Sequence, residues 1–235
     1  QGCAYLARAV RDGTLVVAKI LHDRMASAEA CRRINHITGL RLSRLCPVLV
    51  APEDVITDGG LAGYVAPYFP GQSLEEFLAA PMVLPDAITD RITIGAALVR
   101  GVGALHAAGV SHGDLHSGNL LVRKSARNLE AGLIDFDNFA AAGCPPPVMV
   151  GVPLYYAPEL RMALAAGRPA VPDLRCDLFS LPVLLHEIFL SSHPSAVYDV
   201  TAEDVDSAIL KVLLHDPQRP CLKHGVGGLP PEILS

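Results

Sequence analysis

The chain has 235 residues, of which 51% are hydrophobic and 18% charged, with a formal net charge of −5. That is enough chain to bury a substantial core, and its acidic balance excludes a polyanion such as nucleic acid as an expected partner. No apolar run reaches the ~18 residues of a membrane-spanning helix before Arg, Asp, Gly or Pro interrupts it.

The six cysteines are scattered, with no C-x-x-C pair and no Cys/His spacing suited to zinc. A chain of this size does not need disulfide staples, so buried reduced thiols and a cytoplasmic setting are expected. The sequence starts at Gln1 without Met and without a signal-peptide pattern, which reads as a piece of a longer protein.

In chain order, residues 3–20 read as two β-rich runs around the turn "RDGT", because Asp-Gly is a strong hairpin signal. Residues 26–45 look helical and rich in Arg, and 46–69 alternate apolar runs with Pro and Asp-Gly-Gly punctuation, as a strand, turn and strand would. The first 70 residues therefore predict a mostly β unit with one helix. After "PGQS" the pattern turns helical: a short helix from 74 to 79, then a long one over 86–108 with Ile88, Ile92, Leu98, Val99, Val102 and Leu105 spaced for a buried stripe. "GLIDFDNF" (132–139) predicts a short strand and loop, and "PPPVMVGVPLYYAPEL" an irregular segment. "CDLFSLPVLLHEIFL" (176–190) is apolar enough for a central buried helix. The fold class is α+β, divided into 1–70 and 71–235.

"SHGDLHSGNLLV" (111–122) carries most of the chemistry. His112 and His116 stand four apart, but "GDL" and Gly118 argue against a regular helix, and no Glu adjoins the first His, so a zinc pair is disfavoured. Asp114, Asn119 and Asp135 suit phosphoryl transfer better. That reaction needs a carboxylate to orient a hydroxyl, plus acidic and amide oxygens to hold Mg²⁺ against phosphates.

With these motifs the chain resembles the protein kinase-like fold family along nearly its whole length, and most closely an atypical bacterial-type Ser/Thr kinase domain. "VVAKI" resembles the strand whose Lys, here Lys19, contacts the α/β-phosphates of ATP. "HGDLHSGN" resembles the catalytic loop, making Asp114 the catalytic base and Asn119 a metal ligand; "DFD" gives Asp135 to Mg²⁺. "YAPE" (156–159) resembles the end of the activation segment. Asp177 would anchor the catalytic loop, and Arg219 of "DPQRP" would pair with Glu159, all three in structural roles. The resemblance implies two lobes, a small β-rich one with one main helix and a larger, mostly helical one. ATP would lie between them, its adenine against Ala18 and the connecting stretch "APYFPG", with Pro67, Phe69 and Leu121 among the binding residues. A Gly-rich loop would precede Lys19, and Gly2 falls where its third Gly would stand.

The departures from the family pattern bear on function. Family spacing puts the acidic partner of Lys19 near Thr38, which cannot serve; Glu29 is the only acid in the helical stretch 26–45, as that partner or as a solvated first-turn residue. Gly113 replaces the Arg that binds an activation-loop phosphate in many kinases. Between Phe136 and Ala157 there is no Ser or Thr, only Tyr155 and Tyr156. His116 stands for a Lys and Val152 for a Thr that contacts it. His116 could donate to the transferred phosphate, more weakly than Lys because a typical His is mostly neutral at pH 7. Asp137 replaces a flexible Gly, either as a second carboxylate near the metal or as a cap on the next turn.

The expectation is an ATP- and Mg²⁺-dependent transfer to a protein hydroxyl, controlled by a regulatory partner domain rather than by loop phosphorylation. Two alternatives remain. One is a small-molecule kinase of the aminoglycoside or choline phosphotransferase type, and the other a pseudokinase that binds nucleotide or docks a partner.

Overall fold

The computed structural model describes residues 2–22, 27–57, 61–79, 88–124, 129–146 and 151–194. Strands β1 (Gly2–Arg8) and β2 (Leu15–Leu21) form the expected hairpin. At its turn Gly13 takes φ +72°, and the Asp12 carboxylate accepts the Thr14 N–H at 3.0 Å. Strands β3 (Asp54–Ile56) and β4 (Gly63–Pro67) complete an antiparallel sheet of order β1-β2-β4-β3.

The stretch 26–45 forms two helices rather than one. Helix α1 (Ala28–Gly39) starts on Ser27, whose hydroxyl accepts the Ala30 N–H at 3.1 Å. It ends at Gly39, and Arg41 in the left-handed region (φ 51°) redirects the chain into α2 (Leu42–Leu45). Helix α1 buries Ile34 and Ile37 and, unusually, Arg33.

"CPVLV" is not a strand of the first sheet. Val48, Leu49 and Val50 are buried, and they exchange backbone hydrogen bonds with Leu133. Prolines at 47 and 52 confine the pairing to this short contact, which stitches the sheet part to the helical part.

The rest comprises β5 (Gln72–Ser73), α3 (Leu74–Ala79), α4 (Ile88–Ala107), β6 (Val110–Ser111), β7 (Leu120–Lys124), β8 (Leu129–Leu133), β9 (Ala140–Ala141), α5 (Pro158–Ala165) and α6 (Leu174–Leu190). Strands β5-β7-β8 make a second sheet and β6-β9 a two-stranded ribbon. Helices α4 and α6 pack together at the centre of the main core, where Leu98, Leu105 and Leu184 are wholly buried. Each such side chain contributes roughly 1.5–3 kcal/mol of burial.

The buried stripe of α4 is Ile94, Leu98, Val102 and Leu105. Ile92 and Val99, expected on it, are nearly half exposed. The 94–98–102–105 series already fills one face at helical spacing, and a residue next to Leu98 is turned about 100° off it. The α+β architecture holds, with a β-sheet N-terminal region followed by helices. Among the described residues no helix is long and apolar enough to cross a membrane. Cys46, Cys144 and Cys176 are free and buried as expected, whereas Cys3 is exposed; Cys221 lies outside the described residues.

Candidate active site

A cavity of about 280 Å³ opens between the first sheet and the β7-β8 layer, near the lower end of small-molecule sites at roughly 300 Å³. Val17, Pro67, Phe69, Leu121 and Ile134 give it apolar walls, and Lys19 and Asp135 close one end. Four expected binding residues, Lys19, Pro67, Phe69 and Leu121, thus line one cavity together with Asp135. Phe69 is fixed there by close fit, since a Cβ on Gly132 or Gly71 would fall within 3.0 Å of its ring carbons. The Arg123 guanidinium covers the ring at 5.0 Å.

Two expectations fail at this cavity. Ala18 does not line it: side chains alternate along a strand, so with Val17 and Lys19 facing the cavity Ala18 points to the opposite face of the sheet. Gly2 does not reach it either. It pairs with Leu21 at the start of β1, where a Cβ would meet the Ile20 carbonyl oxygen at 2.4 Å, so strand packing accounts for that glycine.

Lys19 is held by two carboxylates, Asp135 Oδ1 at 2.7 Å and Asp137 Oδ2 at 2.8 Å. Glu29 is not its partner. It stands half-exposed in the first turn of α1, in an ion pair with Arg32. Nor does Asp137 cap the following turn, because its other oxygen accepts the Tyr64 hydroxyl at 2.9 Å. Burial works against the Lys19 charge, yet the two carboxylates outweigh it and raise the ammonium above its ordinary value. Burial also opposes the Asp135 anion, but Lys19 holds it below the usual carboxylate range. Burial and then the Asp135 charge push Asp137 up. Behind this cluster Arg33 donates to three carbonyls of the segment after Asp135: Cys144 at 2.8 Å, Phe139 at 2.7 Å and Asp137 at 3.1 Å. Its guanidinium also stacks on the Phe139 ring at 4.2 Å.

The catalytic-loop stretch hangs from Asp177, which is 1% exposed. Its carboxylate accepts the His112 N–H at 2.7 Å and the Gly113 N–H at 3.0 Å, and His106 Nε2 lies 3.0 Å away. His112 packs on Phe136 and donates Nε2–H to the Ile134 carbonyl at 3.0 Å. Gly113 takes φ +77°, and a Cβ there would lie 2.4 Å from the Asn138 carbonyl oxygen. The backbone itself therefore excludes the Arg found here in many kinases.

Asp114 Oδ2 accepts the Asn138 side-chain N–H at 3.0 Å, and Asn119 donates its amide N–H to the Asp114 carbonyl at 3.0 Å. Burial raises the Asp114 carboxyl above its ordinary value. His116 Nδ1 accepts the Gly118 N–H at 3.1 Å, which leaves Nε2 to carry the proton of the neutral ring; Nε2 is 3.8 Å from Asp114 Oδ1. Burial lowers the His116 pKa, so the ring is a neutral donor at pH 7. Val152 lines a small recess beside Asp114, together with Tyr155 and Tyr156. Tyr155 is buried. It donates to Glu187 at 2.8 Å and accepts from Ser117 at 2.9 Å.

Three residues here were not assigned their parts from sequence: Asn138 on Asp114, Arg33 on the segment, and Tyr64 on Asp137. An Arg on the inward face of α1 was the one available signal. Arg219 lies outside the described residues, so the expected pair with Glu159 does too.

Compared with protein families, residues 1–221 match the protein kinase domain. The chain belongs to the protein kinase family. It is 30% identical over 218 residues to the serine/threonine-protein kinase pkn2 of Myxococcus xanthus, covering 83% of this chain and 25% of that protein. To the serine/threonine-protein kinase PkaA of Streptomyces coelicolor it is 28% identical over 196 residues, covering 81% and 35%. A probable SapB synthase of the same species is 31% identical over 237 residues, covering 93% and 25%. The chain thus spans about a quarter to a third of the length of these relatives. Protein kinases as a family use ATP and a divalent metal.

Proposed function

We propose that this chain transfers the γ-phosphate of ATP to a Ser or Thr hydroxyl of a protein, with Lys19, Asp114, Asn119 and Asp135 as the working set. The observation that carries this reading is the cavity that ends on the Lys19–Asp135 pair, with Asp114 and Asn119 hydrogen-bonded on the adjoining loop. Relatives named as serine/threonine-protein kinases favour a protein acceptor over a small molecule.

Lys19 would bind the nucleotide phosphates, and the apolar walls at Val17 and Leu121 would take the base. Asp114, with its carboxyl raised by burial, would orient the acceptor hydroxyl and take its proton. His116 would offer Nε2–H to the transferred group as a neutral donor.

A divalent metal fits the residues present. Asp135 supplies a carboxylate, and Asn119, whose amide N–H is used on Asp114, keeps its oxygen as a hard ligand. Mg²⁺ needs only one or two protein oxygens beside the phosphates, and these two residues supply that number. Bound there, Mg²⁺ would neutralise charge on the phosphate oxygens. Asp114, Asp135 and Asp137 face a single ammonium, so the bare triphosphate is repelled and ATP should bind only with the metal.

Control by Ser/Thr phosphorylation of the segment 136–157 is not part of this reading. That segment contains no Ser or Thr, Tyr155 is buried, and Gly113 offers no cation to a phosphate. The proposed regulator is an attached domain or a partner protein.

The test is ATP turnover with generic protein substrates beside a panel of small hydroxylated compounds. Phosphoprotein should form, and Lys19→Ala and Asp135→Asn should each lower transfer by roughly a hundredfold or more. Undiminished transfer in either variant, or transfer to small molecules alone, would overturn the proposal.

A further inference from the structure

We propose that Asp137, held by Tyr64 and Arg33, is the residue that positions Lys19, in place of an acid carried by helix α1. The inference rests on the nucleotide role of Lys19 proposed above.

Three features of the site point this way. The only acid on α1, Glu29, stands half-exposed in its first turn and is occupied by Arg32. One turn further along, and hence on the same side of the helix, stands Arg33, which is 4% exposed with its guanidinium spent on backbone carbonyls. A cation stands where an anion would be needed, so α1 does not anchor Lys19 directly.

Asp137 has the geometry of an anchor. Its side chain is 9% exposed, with one oxygen 2.8 Å from Lys19 Nζ and the other fixed by the Tyr64 hydroxyl at 2.9 Å. Tyr64 and Lys19 are paired across β2 and β4, so both hold the carboxylate from one face of the sheet. The Asp137 backbone is in turn fixed at its carbonyl by Arg33 at 3.1 Å. A metal ligand at Asp135 would have to release Lys19. Asp137 would not, so Lys19 would stay oriented while Asp135 serves the metal. Helix α1 then acts on Lys19 only through its grip on the segment that carries Asp137.

The experiment is a double-mutant cycle read by Mg·ATP titration with a fluorescent nucleotide, beside steady-state kinetics. Asp137→Asn removes the charge but keeps an acceptor for Tyr64. It should weaken Mg·ATP binding roughly tenfold or more and raise the KM for ATP, leaving the KM for protein substrate unchanged. In a Lys19→Ala background the same substitution should add nothing. Tyr64→Phe should weaken binding by a few-fold on its own and not at all in the Asp137→Asn protein. Glu29→Gln should bind as the parent does. Unchanged affinity in Asp137→Asn, additive effects with Lys19→Ala, or an equal loss in Glu29→Gln would each overturn the proposal. Failure to phosphorylate any protein would count against the proposed function alone, because the binding cycle reads Asp137 without transfer.

Discussion

The loop that holds Asp114 and the cluster that holds Lys19 are secured in opposite ways. The loop is suspended by its backbone: two consecutive N–H groups donate to one buried carboxylate on α6, and His106 braces that carboxylate. The Lys19 cluster is held by side-chain charges on one another, and behind them by a guanidinium gripping three carbonyls. A backbone-suspended loop keeps its shape whatever occupies the site. A cluster of mutually paired charges must rearrange whenever a phosphate or metal enters, which puts the plastic end of the site at the nucleotide side.

That contrast can be broken most forcefully at Asp177. Asp177→Ala leaves the His112 and Gly113 N–H groups buried without an acceptor, and should cost about 3–5 kcal/mol of stability. Thermal unfolding would show it as a drop of roughly 10 °C. A shift of only a degree or two would mean the loop is not suspended as described.

A smaller effect separates the loop's support from its titration. Burial raises the Glu187 carboxyl from 4.5 to about 7. Between those values the folded protein keeps a proton that the unfolded chain has released, so stability is fully present below pH 4.5 and declines as pH rises through 7. Glu187→Gln should flatten that slope, worth about 2–3 kcal/mol, while keeping an acceptor for Tyr155. Urea denaturation at pH 5 and pH 8 would measure it, and equal slopes in both proteins would refute the assignment.

The smallest change concerns Asn138, which reaches from the plastic side to the suspended one through its 3.0 Å bond to Asp114. Asn138→Ala should lower kcat about tenfold without moving either KM, the signature of a misoriented base rather than lost binding. A change confined to KM would place Asn138 in substrate binding instead.

The suspended side was legible in the sequence and the charged side was not. Asp114 and Asn119 lie five residues apart on one loop, so their relation survives any uncertainty about the rest of the fold. Lys19 meets Asp135 across 116 positions, and which acid completes the cluster depends on how α1 is rotated, a matter of tertiary packing. Asp137 stands out in the sequence as a departure from the family pattern, but spacing does not reveal its contact with Lys19. The error at Ala18 was one of register. A shift of one residue along β2 exchanges the two faces of the strand, and Val17 is the side chain that meets the cavity. The sequence shows at Gly113 the lack of an Arg, whereas its left-handed backbone under Asn138 emerges only from the fold.

That glycine also bears on how this site can change by mutation. Glycine and arginine codons are neighbours in the genetic code, so mutation readily supplies an arginine at this position. The Asn138 carbonyl stands where its first side-chain carbon would go, and the φ of the backbone disfavours any side chain there. A change that is easy to reach genetically is closed off structurally. To gain a phosphate-binding cation on this loop, a descendant would have to refold the turn and move Asn138 first, and Asn138 is the residue that steadies Asp114. That route runs through a damaged active site.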